Sequence, residues 1–196
     1  MEREYLVKRP RGIAVVGMDE YKGKIEGVDG WISNANKADG KYGYIIERVN
    51  NGLYLHTTLP DNRRTGFITN CNPSDEMSAL QALVSLEFGD HAIGLDWYDI
   101  VECIMPAATY FTQTFTLDTC ISDVAEWFKM ISTKTDLHRN CVLLADGYLS
   151  LFEINEIADV LCEFVGEENK FLFQLAQSQG DLVQVSIWLK NDGQIV

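Results

Sequence analysis

The sequence predicts an α+β fold, with an antiparallel, β-rich N-terminal part in residues 1–71 followed by alternating helices and antiparallel strand pairs in residues 72–196. Nine of the 15 glycines lie before position 70, where turns and short strands are frequent. Apolar residues at helical spacings of three and four begin only after position 72. The two parts are candidate domains or the halves of one continuous domain. The composition, with 46% hydrophobic and 23% charged residues, is typical of a globular protein.

The N-terminal part contains a predicted β-hairpin. The runs YGYIIERV and LYLHTTL flank Asn50, Asn51 and Gly52, and an Asn-Gly step supplies the positive φ angles that a tight turn needs. The run RTGFITN is a candidate third strand, and EYLVK and GIAVV are candidate earlier strands.

Three helices are predicted in the C-terminal part. The first begins at Asn72-Pro73, because proline is tolerated where no N–H is needed, and it ends at Gly89. The second begins near Asp118, and the third ends at Gly166. We expect the inward faces of these helices to include Leu80, Val84, Val124, Phe128, Ile157 and Leu161.

Five further runs are predicted to be strands, because they are rich in β-branched and aromatic residues. Along the chain they are DWYDIVECI, TYFTQTFTL, CVLLA, KFLFQLAQ and LVQVSIWL. The Gly180-Asp181 step is predicted to turn a last hairpin between the final two strands.

The charge is unevenly distributed along the chain, whose formal net charge is −13. Residues 1–70 hold 11 basic and 9 acidic side chains, whereas residues 71–196 hold 5 basic and 20 acidic ones, a net charge of −15. Between Arg64 and Lys129 there is no Lys or Arg but there are ten carboxylates. This asymmetry indicates an interaction surface and argues against free nucleic acid as a partner.

Five carboxylates stand out because they fall within 16 positions that contain no base: Glu87, Asp90, Asp96, Asp99 and Glu102. A buried carboxylate without a partner costs several kcal/mol, so we expect these side chains to be exposed and to form one negative surface. The sequence therefore predicts a non-enzymatic interaction protein that binds the basic surface of a partner. Its carboxylates could replace phosphates in a nucleic-acid-handling protein, as in DNA-mimic, anti-restriction, anti-CRISPR or toxin-immunity inhibitors.

An alternative is a small ligand-binding or hydrolytic enzyme with a site at Asp90, His91, Asp96 and Asp99, where a histidine and carboxylates could act as acid and base. The three histidines and five cysteines show no zinc spacing, and the glycine-rich run after GIAVV lacks the spacing of a phosphate-binding loop. The sequence predicts no metal and no cofactor.

The N-terminus has no apolar core of a secretory signal, and no apolar run approaches the roughly 20 residues of a membrane helix. The cysteine count is odd and no pair has CxxC spacing. Both features favour a cytoplasmic protein with reduced thiols and no membrane partner.

All five cysteines are therefore expected to be unpaired. Alkylation under denaturing conditions without reductant, followed by intact-mass measurement, should show five modified thiols. Two disulfides within one chain would contradict the cytoplasmic interpretation.

Overall fold

The computed structural model describes residues 12–18, 25, 27–32, 41–57, 66–89, 91–116, 120–132, 139–176 and 180–191. The strands in these ranges are β1 (Ile13–Val16), β2 (Val28–Ile32), β3 (Tyr44–Val49), β4 (Gly52–Thr57), β5 (Gly66–Asn70), β6 (His91–Ile93), β7 (Ala107–Thr116), β8 (Cys141–Asp146), β9 (Phe171–Ala176) and β10 (Leu182–Lys190). The helices are α1 (Glu76–Phe88), α2 (Trp97–Ile104), α3 (Cys120–Ser132) and α4 (Leu151–Val165).

The ten strands form one mixed sheet in the order β2-β1-β3-β4-β5-β7-β10-β8-β9-β6. Strand β1 is parallel to β2 and β3, β5 is parallel to β7, and β8 is parallel to β9. The α+β class holds in its coarse form, and β3-β4-β5 and β7-β10-β8 are antiparallel as expected. The expectation that all pairing is antiparallel is wrong in both parts, because the sheet is mixed. In the C-terminal part the reason is α4, which connects β8 to β9 as a crossover and returns the chain in the same direction.

Helices cover both faces of the sheet. Helices α1 and α2 pack on one face in a core that includes Phe67, Leu80 and Trp188, which we call the first core. Helices α3 and α4 pack on the other face in a second core that includes Phe128 and Ile157. Because side chains alternate along a strand, neighbouring residues of β8 and β10 enter different cores.

Helix α2 corrects the prediction of a strand at DWYDIVECI. The Asp96 carboxylate accepts a hydrogen bond from the Tyr98 backbone N–H at 2.8 Å and so caps the helix. The buried residues then fall at helical spacings, namely Trp97, Ile100, Val101, Cys103 and Ile104. A short apolar run is compatible with a strand or a helix, and here the cap and the packing decide in favour of the helix.

The predicted last hairpin at Gly180-Asp181 is also wrong. Strand β10 lies between β7 and β8, while β9 pairs with the opposite edge of β8. The residues of a turn determine only the local chain direction, so they do not specify which strand becomes the neighbour.

Other local predictions are confirmed. Strands β3 and β4 pair around the Asn50-Asn51 turn, and Gly52 has a φ of +151° at a point where a Cβ would overlap the Thr69 carbonyl oxygen. Gly89 and Gly166 directly follow α1 and α4. The six apolar residues expected inside are at most 3% exposed. The run EYLVK lies outside the described residues, and no helix among those described could span a bilayer.

Replacing Phe128 with alanine should lower the free energy of unfolding by about 3–5 kcal/mol, because the side chain is fully buried in the second core. The matched control is Phe152→Ala in α4, where the ring is 69% exposed and the change should be within about 0.5 kcal/mol. Urea unfolding of both variants measures the difference, and similar losses would contradict this assignment of helix faces.

Candidate functional site

Helix α2 presents acidic and aromatic side chains to solvent. Its residues that are not buried are Tyr98, Asp99 and Glu102, and it is flanked by the exposed Asp96 and Met105. Tyr98 is 50% exposed and Met105 is 47% exposed. We call these five residues the α2 surface. Because Tyr98, Glu102 and Met105 are separated by four and three positions, they point to the same side.

The buried side of α2 fixes this surface to the sheet. The Trp97 ring meets the Tyr44 ring edge-on at 5.4 Å between centroids and lies 6.0 Å from the Phe67 ring. The Cys103 thiol donates to the Cys141 carbonyl oxygen at 3.4 Å, and burial raises the pKa of this thiol to about 11. Helix α2 is therefore held against β3, β5 and β8, and its outward side chains project from a rigid element.

Lys170, which is distant from α2 in the sequence, lies next to the α2 surface. The Lys170 ammonium lies 3.9 Å from the Asp99 carboxylate and 3.5 Å from the Glu102 carboxylate. The two carboxylate side chains are 57% and 77% exposed, so water screens both ion pairs and each contributes little to stability. Lys170 partly neutralises a stretch that has no base of its own. Within the part of the chain that the structure describes, the three carboxylates of the α2 surface outnumber the bases that pair with them.

Three of the five carboxylates singled out from the sequence are exposed on or beside α2: Asp96, Asp99 and Glu102. Glu87 lies in α1, and its side chain is not described. Asp90 lies outside the described residues. A common binding role for the five stays a prediction.

The described residues of the alternative site, His91, Asp96 and Asp99, each contact a different group. The His91 Nε2 atom lies 2.6 Å from the Ser85 carbonyl oxygen and also contacts the Gln174 amide. Asp96 instead caps α2, and Asp99 lies beside Lys170. Within the described ranges, no group of three or more His, Cys, Asp and Glu side chains converges to hold a metal ion.

Sequence reasoning missed a polar cleft of about 430 Å³ where β3 and β5 end and β7 continues. Four asparagines line it, namely Asn50, Asn51, Asn70 and Asn72. They fall within 23 positions of the sequence, but asparagine is common in turns, so this clustering alone carries little information. The tertiary structure makes the cleft by bringing the β3–β4 turn to the end of β5.

Arg48 and Glu76, which both line the cleft, form a bidentate ion pair. The Arg48 guanidinium donates from Nε and Nη2 to the two carboxylate oxygens of Glu76, each at 2.7 Å. Such a fork ties the end of β3 to the first turn of α1. Cys71 also lines the cleft, and burial, reinforced by the charges of Glu76 and Asp75, raises its pKa to about 11. The thiol stays protonated near neutral pH and is a poor nucleophile.

The comparisons with known proteins show only a partial likeness of fold. No protein-family model matches the sequence, and no curated protein matches it either. A solved structure of the FtsZ W319Y mutant from M. jannaschii superimposes with a TM-score of 0.51 and 16% identity, covering 60% of this chain. An empty FtsZ dimer from M. jannaschii gives a TM-score of 0.48 and 16% identity over 61% of this chain.

The match spans 39% of the mutant FtsZ chain and 38% of the chain in the empty dimer. At 16% identity, the likeness to the W319Y mutant shows a similar fold in the matched part and says nothing about the activity of this chain. The molecule is thus an α+β protein with a mixed sheet that resembles part of FtsZ in architecture.

The raised pKa of Cys71 predicts slow alkylation. Compared with a thiol at the ordinary value of 9.0, a pKa of about 11 lowers the thiolate fraction at pH 8 by about a hundredfold. In the native protein, the alkylation rate of Cys71 should rise from pH 7 to pH 10 without levelling off. Peptide mass spectrometry measures this rate, and a plateau near pH 9 would contradict the prediction.

Proposed function

We propose that this chain is a non-enzymatic cytoplasmic interaction protein that binds the basic surface of a partner protein through the α2 surface. One observation carries the proposal. Every side chain of α2 that is not buried is either a carboxylate or a tyrosine, and Asp96 and Met105 extend this pattern at the two ends of the helix.

The α2 surface combines two physical contributions to binding. Carboxylates attract a positively charged partner over a distance and speed its encounter. Tyr98 and Met105 supply apolar contact area, which carries much of the binding energy in protein interfaces. Since the buried side of α2 is packed against the sheet, the helix loses little conformational freedom when it binds.

The partner is proposed to be a nucleic-acid-handling protein. A site that binds phosphates presents Arg and Lys side chains, and a guanidinium pairs equally well with the two oxygens of a carboxylate. The net charge of −15 in residues 71–196 adds a long-range field of the same sign. In this role the chain is an inhibitor of the DNA-mimic, anti-restriction, anti-CRISPR or toxin-immunity kind.

A small-ligand module is the second candidate function, and the polar cleft favours it. Asparagine amides offer both donors and acceptors, and the cleft has the size of a small-molecule site. The two candidates differ in their response to salt, because screening weakens charge-driven association far more than binding in a pocket. A pull-down from the native host at low and high salt, with mass spectrometry of the retained proteins, distinguishes them.

The proposal is tested with the triple variant Asp96→Asn, Asp99→Asn and Glu102→Gln. Asparagine still caps a helix, so α2 should stay folded. The association rate with the purified partner from the low-salt pull-down should fall by about tenfold at low salt. Stopped-flow or surface-based kinetics measures the rate.

The matched control neutralises three exposed carboxylates elsewhere, with Asp123→Asn in α3 and Asp159→Asn and Glu163→Gln in α4. It changes the net charge by the same three units but leaves the α2 surface intact, so its rate should fall much less. Equal association rates for the two triple variants would show that only the net charge of the chain, and not the α2 surface, affects binding. An unchanged rate for the α2 variant would disprove the proposal.

A further inference from the structure

Strand β7 pairs along nearly its whole length on one side but only at its start on the other, as far as the described residues show. On one side it pairs with β10 from Ala108 to Thr116, but on the other side it pairs with β5 only from Ala107 to Thr109. Strand β5 then ends at Asn70 and the chain turns into α1. Among the described residues, no strand pairs with this edge of residues 110–115, which we call the β7 edge.

The β7 edge lacks the features that protect other strand edges. Natural edges are short or carry charges or proline, which prevent pairing with another chain. At the two ends of the sheet, β6 has three residues and β2 contains Asp29. Strand β7 has ten residues, AATYFTQTFT, none of which is charged, and Gln113 and Thr114 are exposed. This edge is therefore suited to accept another strand.

The sequence of the edge points to a second copy of the same chain. Residues 111–115 read Phe-Thr-Gln-Thr-Phe in both directions around Gln113. If two copies pair antiparallel about a two-fold axis at Gln113, each Phe111 faces a Phe115 and each Thr112 faces a Thr114. Aromatic pairs and threonine pairs directly across two strands are favourable. We propose that the chain forms a homodimer by antiparallel pairing of the β7 edge with its own copy.

The side chains on the second-core face of β7 are compatible with this pairing. Phe115 is buried in the second core with its ring 5.8 Å from the Trp127 ring, and the half-buried Phe111 packs against the same core. The partner's Phe115 would cover the part of Phe111 that is exposed, so the two second cores would meet across the axis.

The proposed pairing ends at Tyr110, one residue beyond Thr109, where the pairing of β7 with β5 stops. In this register Thr116 of one copy lies opposite Tyr110 of the other, beside the polar cleft between Asn70 and Phe111. Each chain carries a net charge of −13, so acidic residues in the pairing strand would add to the repulsion between two copies. Strand β7 has no charged residue and adds none.

The register is tested by the charge of residue 113, since this position faces itself across the two-fold axis. We expect the full chain to be a dimer by sedimentation equilibrium. Gln113→Lys and Gln113→Glu should each raise the dissociation constant by about fivefold or more, because like charges then lie opposite each other. Mixing the two variants should restore a dimer at least as tight as the wild type, because a lysine then faces a glutamate.

The matched control is Gln81→Lys, which makes the same charge change at an exposed position of α1. It should leave the dissociation constant of the dimer unchanged. Circular dichroism of each variant reports whether the fold is kept, and the exposed Gln113 tolerates substitution. A wild-type chain that is monomeric at all concentrations, a dimer unaffected by Gln113→Lys, or a lack of rescue in the mixture would each overturn the inference.

Discussion

The structure depends on burying a mixed sheet on both faces, and Trp188 in β10 shows how this constraint joins the chain. The indole N–H donates to the Thr69 hydroxyl at 3.2 Å, and the ring lies 5.2 Å from that of Tyr110. A strand of the N-terminal part and two strands of the C-terminal part therefore meet around one fully buried side chain. Since a buried N–H needs a partner, this contact fixes the position of β5 relative to β10.

The positions of the α2 surface and the β7 edge follow from this arrangement. Helix α2 packs on strands that Trp188 and its neighbours align, so its unburied residues must face solvent. The chain leaves β5 at Asn70 to form α1 on the first face. The polar cleft and the β7 edge lie where β5 ends. The α2 surface and the β7 edge thus both result from how the sheet is covered on one face.

These two features differ in their physical character. The α2 surface is negative and would attract a basic protein, but the same charge repels a second copy of this chain. The β7 edge is uncharged, and its backbone groups and matched side chains suit a strand of the same sequence. The proposed self-association and the proposed binding of a basic partner would therefore use different parts of the molecule. The partial likeness to FtsZ concerns the fold alone.

The sequence by itself determined the features that depend on neighbours along the chain. The spacing of Leu80 and Val84 identified an inward helix face, and Gly166 marked the end of α4, because capping and periodicity act over a few residues. The Asp96 cap and the helical spacing of the buried residues of α2 are local signals as well, although so short an apolar run is also compatible with a strand. Only the tertiary structure decided that β10 separates β7 from β8 and that Lys170 lies beside Asp99. These outcomes depend on which apolar faces meet across long stretches of chain, and no local pattern encodes that choice.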